Sequence, residues 1–132
     1  MSSIRVLFVE DEHYLQQFTT VALSQRGMKV FSAMDTLEAD QVLAKEKVDV
    51  IVCDILMPAE NGLSYVRRLR QKGHSVPVLF LSALAESDVK RIGIESGAAD
   101  YMTKPFLTED LYQRIVNLAS RPHSTGYERG KS

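Results

Sequence analysis

Val48-Asp49-Val50-Ile51-Val52-Cys53-Asp54-Ile55-Leu56-Met57-Pro58 is an apolar, largely β-branched run that stops at a carboxylate, adds two apolar residues and turns. A near-continuous Val/Ile run predicts a strand buried on both faces, the pattern of parallel sheets. Asp54 then stands where that strand leaves the core. In open α/β sheets the ligand crevice lies outside the carboxyl ends of the strands. A carboxylate delivered there by a rigid strand is a candidate for chemistry, provided the rest of the chain supplies partners.

Upstream, Ile4 to Val9 is a short apolar run ending in Glu10-Asp11-Glu12, and Lys29 to Ala33 is a second. Between them a helix is predicted with Leu15, Phe18 and Ala22 inward, Tyr14 and Val21 widening the stripe, and Gly27 as its stop. Thr36 to Glu46 predicts a polar helix with a thin apolar face of Leu37, Val42 and Leu43. The strand Asp49 to Cys53 follows. Downstream, Leu63, Val66 and Leu69 mark a third helix closed by Gly73. Pro77 to Leu81 is a fourth strand ending in Ser82-Ala83. Ala85 to Ser96 reads as a fourth helix, loosened by the interior Gly93. Ala99 to Thr103 is a fifth strand ending in Lys104-Pro105. Thr108 is expected to cap a fifth helix, with Leu111, Ile115 and Leu118 inward.

Five βα alternations with short connections predict an α/β fold: a doubly wound, five-stranded parallel sheet in the flavodoxin-like order 2-1-3-4-5, with helices on both faces. The 132 residues suit one domain over 1–120, with 121–132 a polar tail or truncated linker. A formal net charge of −1 argues against nucleic-acid or membrane-surface binding by this chain. No apolar run has the length of a membrane span, and the lone Cys53 leaves no disulfide framework, so a cytoplasmic protein is expected. Cys53 and Phe80 read as core residues, Tyr65 as surface packing, and His13, His74 and His123 are given no role.

In a parallel sheet the strand ends face one way. Glu10 and Asp11, Asp54, Ser82 and Lys104 therefore gather at a single edge. Three crowded carboxylates repel unless a cation binds among them. All-oxygen ligation without His or Cys suits Mg²⁺ or Mn²⁺. Carboxylates also act as nucleophiles and form aspartyl phosphates, while an ammonium and a hydroxyl can neutralise phosphoryl oxygens.

Val9-Glu10-Asp11-Glu12, Asp54-Ile55-Leu56-Met57-Pro58 with Asn61-Gly62, Ser82-Ala83, and Tyr101-Met102-Thr103-Lys104-Pro105-Phe106 together resemble the receiver domain of bacterial two-component response regulators, over about Arg5 to Ala119. The resemblance implies that Asp54 is the phosphoacceptor, charged by a sensor histidine kinase or phosphotransfer protein. It assigns Asp11 and Asp54 to Mg²⁺, with the Leu56 carbonyl oxygen and, through water, Glu10. Lys104 would pair with the phosphoryl group, and Pro105 would follow a cis bond. Ser82 and Tyr101 take the switch positions. The output surface would be the fourth helix, fifth strand and fifth helix, near Lys90, Arg91, Glu95 and Arg114, meeting a downstream target or effector domain. Homodimerisation is left open.

Leu56 and Leu84 flank the place where a hydrolytic water would stand, and both are apolar, so slow self-dephosphorylation is expected. The reading is of a phosphorylation-controlled signalling domain and not a turnover enzyme. A phosphohydrolase resembling the aspartyl-nucleophile enzymes would carry a second Asp where Leu56 stands. A flavin-binding module would need a phosphate loop where Glu10-Asp11-Glu12 stands. A degenerate receiver used only for docking would lack some of these groups.

Overall fold

The structure, a computed structural model, describes residues 3–83 and 97–121. Leu84, the predicted fourth helix with Lys90, Arg91, Gly93 and Glu95, and the tail beyond Arg121 lie outside the described residues. The elements run β1 (Arg5–Val9), α1 (His13–Gln25), β2 (Lys29–Ala33), α2 (Thr36–Lys45), β3 (Val50–Asp54), α3 (Gly62–Gln71), β4 (Val78–Ser82), β5 (Asp100–Thr103) and α4 (Thr108–Ala119). The five strands form one parallel sheet in the order β2-β1-β3-β4-β5. This is the predicted flavodoxin-like arrangement.

β3 and β4 are buried along their whole length, as their apolar runs require. Alternate residues feed two cores. Leu7, Val9, Ile51, Cys53, Val78 and Phe80 face α2 and α3. Val6, Phe8, Val50, Val52, Leu79 and Leu81 face α1 and α4. Each large side chain buried in these layers contributes about 1.5–3 kcal/mol of transfer free energy. Among the described residues no helix is long and apolar enough to cross a membrane.

Gly27 and Gly73 end α1 and α3 as predicted, both in the left-handed conformation, at φ of 89° and 88°. α4 buries Leu111, Ile115 and Leu118 as read, but Leu107 occupies its cap position and Thr108 is the first helical residue, without a side-chain cap bond. Asp110, with Glu109, supplies the favourable first-turn charge.

α1 departs most from expectation. Gln16, Thr19 and Leu23 are its buried residues, one position on from the predicted stripe. Tyr14 and Phe18 are 81% and 68% exposed, and Val21 also faces out. The face is set by hydrogen bonding as well as by apolar content. The Gln16 amide donates to the carbonyls of Glu10 (3.0 Å) and Ala33 (3.1 Å), which binds α1 to the ends of β1 and β2. On α2, likewise, Thr36 and Ala39 are buried while Leu37 is exposed. Tyr65, expected at the surface, is fully buried against the α2/α3 core.

α3 starts hard against β3. A Cβ on Gly62 would stand 2.5 Å from the Asp54 carbonyl oxygen and 2.9 Å from the Phe80 ring. Backbone cannot yield as a flexible side chain can. Gly62→Ala is therefore expected to cost about 2–3 kcal/mol. Gly73→Ala, strained in φ but facing open space, should cost only about 1–2 kcal/mol. Urea unfolding of both variants checks the ranking; the reverse order would mean that the β3–α3 turn moves aside freely.

Candidate functional site

The strand ends are held in register one residue beyond the assigned strands. Glu10 N–H donates to Ala33 O (3.0 Å), Ile55 N–H to Leu81 O (3.1 Å) and Lys104 N–H to Ser82 O (2.8 Å). Glu10, Asp54 and Lys104 are thus carried by hydrogen-bonded backbone and converge at one edge. Asp11 follows Glu10, and Ser82, fully buried, closes β4. Among the described residues, every site residue named from the sequence lies on this edge except Tyr101, which pairs with Phe80, two positions deeper than Ser82, and is 5% exposed.

Lys104 is the hub. Its Nζ donates to Glu10 Oε1 at 2.7 Å and to Asp54 Oδ2 at 2.9 Å. The second oxygens are also engaged: Glu12 N–H donates to Glu10 Oε2 (2.9 Å), and Leu56 N–H to Asp54 Oδ1 (3.2 Å). Glu10 and Asp54 are almost wholly buried. A buried carboxylate is tolerated only when paired and hydrogen-bonded, and these bonds meet that condition.

Burial pushes the Glu10 carboxyl above its ordinary value, against the hydrogen bonds from Lys104 and the Glu12 amide, with the Asp54 charge adding to the rise. Burial alone would depress Lys104, but its hydrogen bonds and charge pairing with Glu10 and Asp54 prevail and hold it above its ordinary value. The Cys53 thiol is pushed up by burial and by the Asp54 and Glu10 charges, and its Sγ donates to the Asp54 carbonyl, so it is an inert part of the core.

Glu10, Asp11 and Asp54 each offer a carboxylate oxygen, all within 4.8 Å of one another. This is the sole such group of potential metal ligands among the described residues. Three carboxylates against one ammonium leave a formal excess of two negative charges when all are ionised. Oxygen donors with that excess fit a hard divalent cation such as Mg²⁺. The Lys104-Pro105 peptide is cis. Leu56 exposes half its surface.

A family model described as the response regulator receiver domain matches residues 6–116. The chain belongs to that family. It is 35% identical over 119 residues to response regulator MprA of Mycobacterium ulcerans, and 43% identical over 121 residues to transcriptional regulatory protein TrcR of Mycobacterium tuberculosis. Those matches cover 90% and 91% of this chain but 51% and 47% of the relatives, so the chain spans about half their length. Its fold matches the Francisella response regulator 1452 receiver domain with a TM-score of 0.86 at 34% identity, covering 90% of this chain and 98% of that one. It matches the Vibrio cholerae chemotaxis protein CheY4 with a TM-score of 0.83 at 28% identity, covering 89% and 99%. This receiver domain is accordingly a signalling module of two-component systems.

Two features were not singled out from the sequence. Gln16 braces the Glu10 carbonyl, and Glu60 and Arg68 form a clamp on the loop after β3. Neither has a motif. The one available signal was a polar residue, Gln16, lying between two apolar positions of a helix that must pack on a sheet.

The site makes stability depend on pH with a definite sign. Because Glu10 is raised, the folded state binds more protons than the unfolded state between the ordinary carboxyl value and the raised one, so stability falls as pH rises through that window. Lys104, also raised, contributes stability that is complete below its ordinary value and lost as pH climbs through the raised one. Lys104→Met removes a bond that lowers Glu10. The Glu10 carboxyl should therefore titrate higher still in carbon-detected NMR. At pH 7 the variant should lose up to about 3 kcal/mol of stability, and less as acidification neutralises Glu10. An unmoved Glu10 titration would show that the ammonium does not govern this carboxylate.

Proposed function

We propose that Asp54 is the phosphoacceptor of this receiver domain, taking a phosphoryl group from a phosphohistidine on a sensor kinase or phosphotransfer protein. The observation that carries the reading is the Lys104 bridge, which gathers Glu10 and Asp54 with Asp11 into one acidic, oxygen-only site. In the transfer, an Asp54 carboxylate oxygen attacks phosphorus. The new P–O bond forms as the P–N bond breaks, and the donor imidazole leaves with the electron pair of that bond.

Asp11, Asp54 and the Leu56 carbonyl oxygen would hold Mg²⁺, with Glu10 acting through water. Bound there, Mg²⁺ would neutralise the charge that develops on the phosphoryl oxygens. Lys104 is already on Asp54 Oδ2 and pairs with a phosphoryl oxygen after a small reorientation. The Ser82 hydroxyl and the buried Tyr101 side chain lie behind it on β4 and β5. Contacts made only with the phosphorylated form would shift a pre-existing equilibrium. The shift would be read at β5 and α4, where Arg114 binds Asp100 Oδ1 and the Tyr101 carbonyl, each at 3.0 Å. The donor would approach over an apolar groove of about 360 Å³ beside Lys104, lined by Leu15, Phe18, Pro105 and Phe106.

Incubation with acetyl phosphate, followed by intact-mass measurement, should add one phosphoryl group in the presence of Mg²⁺. The adduct should be absent from Asp54→Asn and from metal-free samples. Neither an adduct nor a beryllium fluoride complex, with no Mg²⁺ binding, would leave a docking module in its place. Leu56, apolar at the water's approach, cannot orient an attacking water. Leu56→Asn should accelerate loss of the phosphoryl group severalfold, measured as decay of the mass adduct. An unchanged half-life would dispose of that account of slow decay.

A further inference from the structure

The loop from Ile55 to Asn61 joins the phosphoacceptor strand to α3. Its ends are fastened: Gly62 N–H donates to the Ile55 carbonyl (2.8 Å), and Asn61 caps α3 by accepting from Ser64 N–H (2.9 Å). Its middle is not relaxed. Ala59 holds φ at 68°, a conformation that L side chains disfavour by about 1–2 kcal/mol. Something must keep it there.

The candidate is the next residue. Glu60 is gripped by one edge of the Arg68 guanidinium through two parallel bonds, Nε to Oε2 at 3.1 Å and Nη2 to Oε1 at 2.8 Å, and the Ser64 hydroxyl adds a bond at 3.2 Å. The remaining arm of Arg68, Nη1, donates to Asp40 Oδ2 on α2 at 3.0 Å. Asp40 Oδ1 in turn accepts from the hydroxyl of buried Tyr65 at 3.1 Å, and the Arg68 guanidinium lies 5.0 Å from the centre of that ring. A lone exposed ion pair would be worth little. This one is bidentate, shared between two helices and rooted in the core, and such networks position as well as stabilise.

We propose that Arg68 is a positioning residue of the phosphorylation site: by clamping Glu60 against Asp40 and Tyr65, it holds the β3–α3 loop where Leu56 serves Asp54 and the metal. The Leu56 amide already reaches Asp54 Oδ1, and its carbonyl is the loop's contribution to Mg²⁺ in the function proposed above, on which this inference rests. Releasing the clamp lets Ala59 relax and carries the Leu56 backbone away.

The sign of the effect separates positioning from simple electrostatics. Removing a cation near a metal site should tighten Mg²⁺ binding through charge alone. Loss of a positioning contact should weaken it, by about tenfold for a supporting-residue change. Mg²⁺ affinity would be measured by calorimetry on the full chain for Arg68→Met, Glu60→Gln and the double variant, beside urea unfolding of each. Expected is a weakening of about tenfold in each single variant and no further loss in the double. Arg68→Lys should recover only part, since an ammonium cannot make two parallel bonds. Amide exchange of residues 55–61 in metal-free protein should quicken in the same variants. Tighter binding in Arg68→Met, or unchanged affinity and exchange alongside lowered stability, would overturn the clamp. If Arg68→Met does not fold, Arg68→Lys carries the comparison, since it keeps the charge and loses only the paired bonds, whereas Glu60→Gln removes an anion and is read through its amide exchange. Failure of the unaltered protein to bind Mg²⁺ would instead refute the function, and the exchange rates alone would then judge the clamp.

Discussion

A single ammonium, Lys104 Nζ, lies within hydrogen-bonding distance of two buried carboxylates contributed by two other strands. Most of the architecture can be read as the means of keeping it there. Carboxylates removed from water cost several kcal/mol unless they are matched, so Glu10 and Asp54 are tolerable only while β5 brings Lys104 between them. That placement needs the strands parallel, in this order and in this register. The ladder bonds that continue past β1, β3 and β5 fix all three residues to within the tolerance of a hydrogen bond.

The match is deliberately incomplete in charge. With Asp11 in reach, the cluster carries more acid than base. The excess acid that destabilises this edge is what suits it to a divalent cation, whose two positive charges would complete the balance. Stability and chemistry therefore draw on the same few side chains, and the neighbouring elements brace them. Gln16 holds the Glu10 backbone from α1, and Arg68 holds the loop beyond Asp54 from α3.

The sheet was legible because its information is local. Val50 to Asp54 and Val78 to Ser82 are so apolar that only burial on both faces suits them, and the residues ending each run declare the edge. Glycines after α1 and α3 marked their ends for steric reasons that hold in any context. The face of α1 was not legible. Its apolar residues Tyr14, Phe18 and Val21 suggested one orientation, while the Gln16 amide, bonded to carbonyls on two strands, fixed another. That preference depends on acceptors supplied by distant parts of the chain. Tyr65 and Arg68 escaped for a similar reason: their partners, Asp40 and Glu60, lie on α2 and on the loop before α3, and no spacing rule joins the four.

The contacts that make the site span most of the chain: 94 positions separate Glu10 from Lys104, and 50 separate Asp54 from Lys104. During synthesis the acidic residues therefore emerge well before their counter-charge. Until β5 has left the ribosome and paired with β4, Glu10 and Asp54 have no ammonium to hold them in the core, and the edge of the sheet has no reason to take its final form. Non-local pairing of this kind is slow to nucleate. This acidic edge is thus among the last parts of the domain to be completed, and a nascent chain stopped short of Lys104 carries Asp54 and Glu10 without the ammonium that pairs with them.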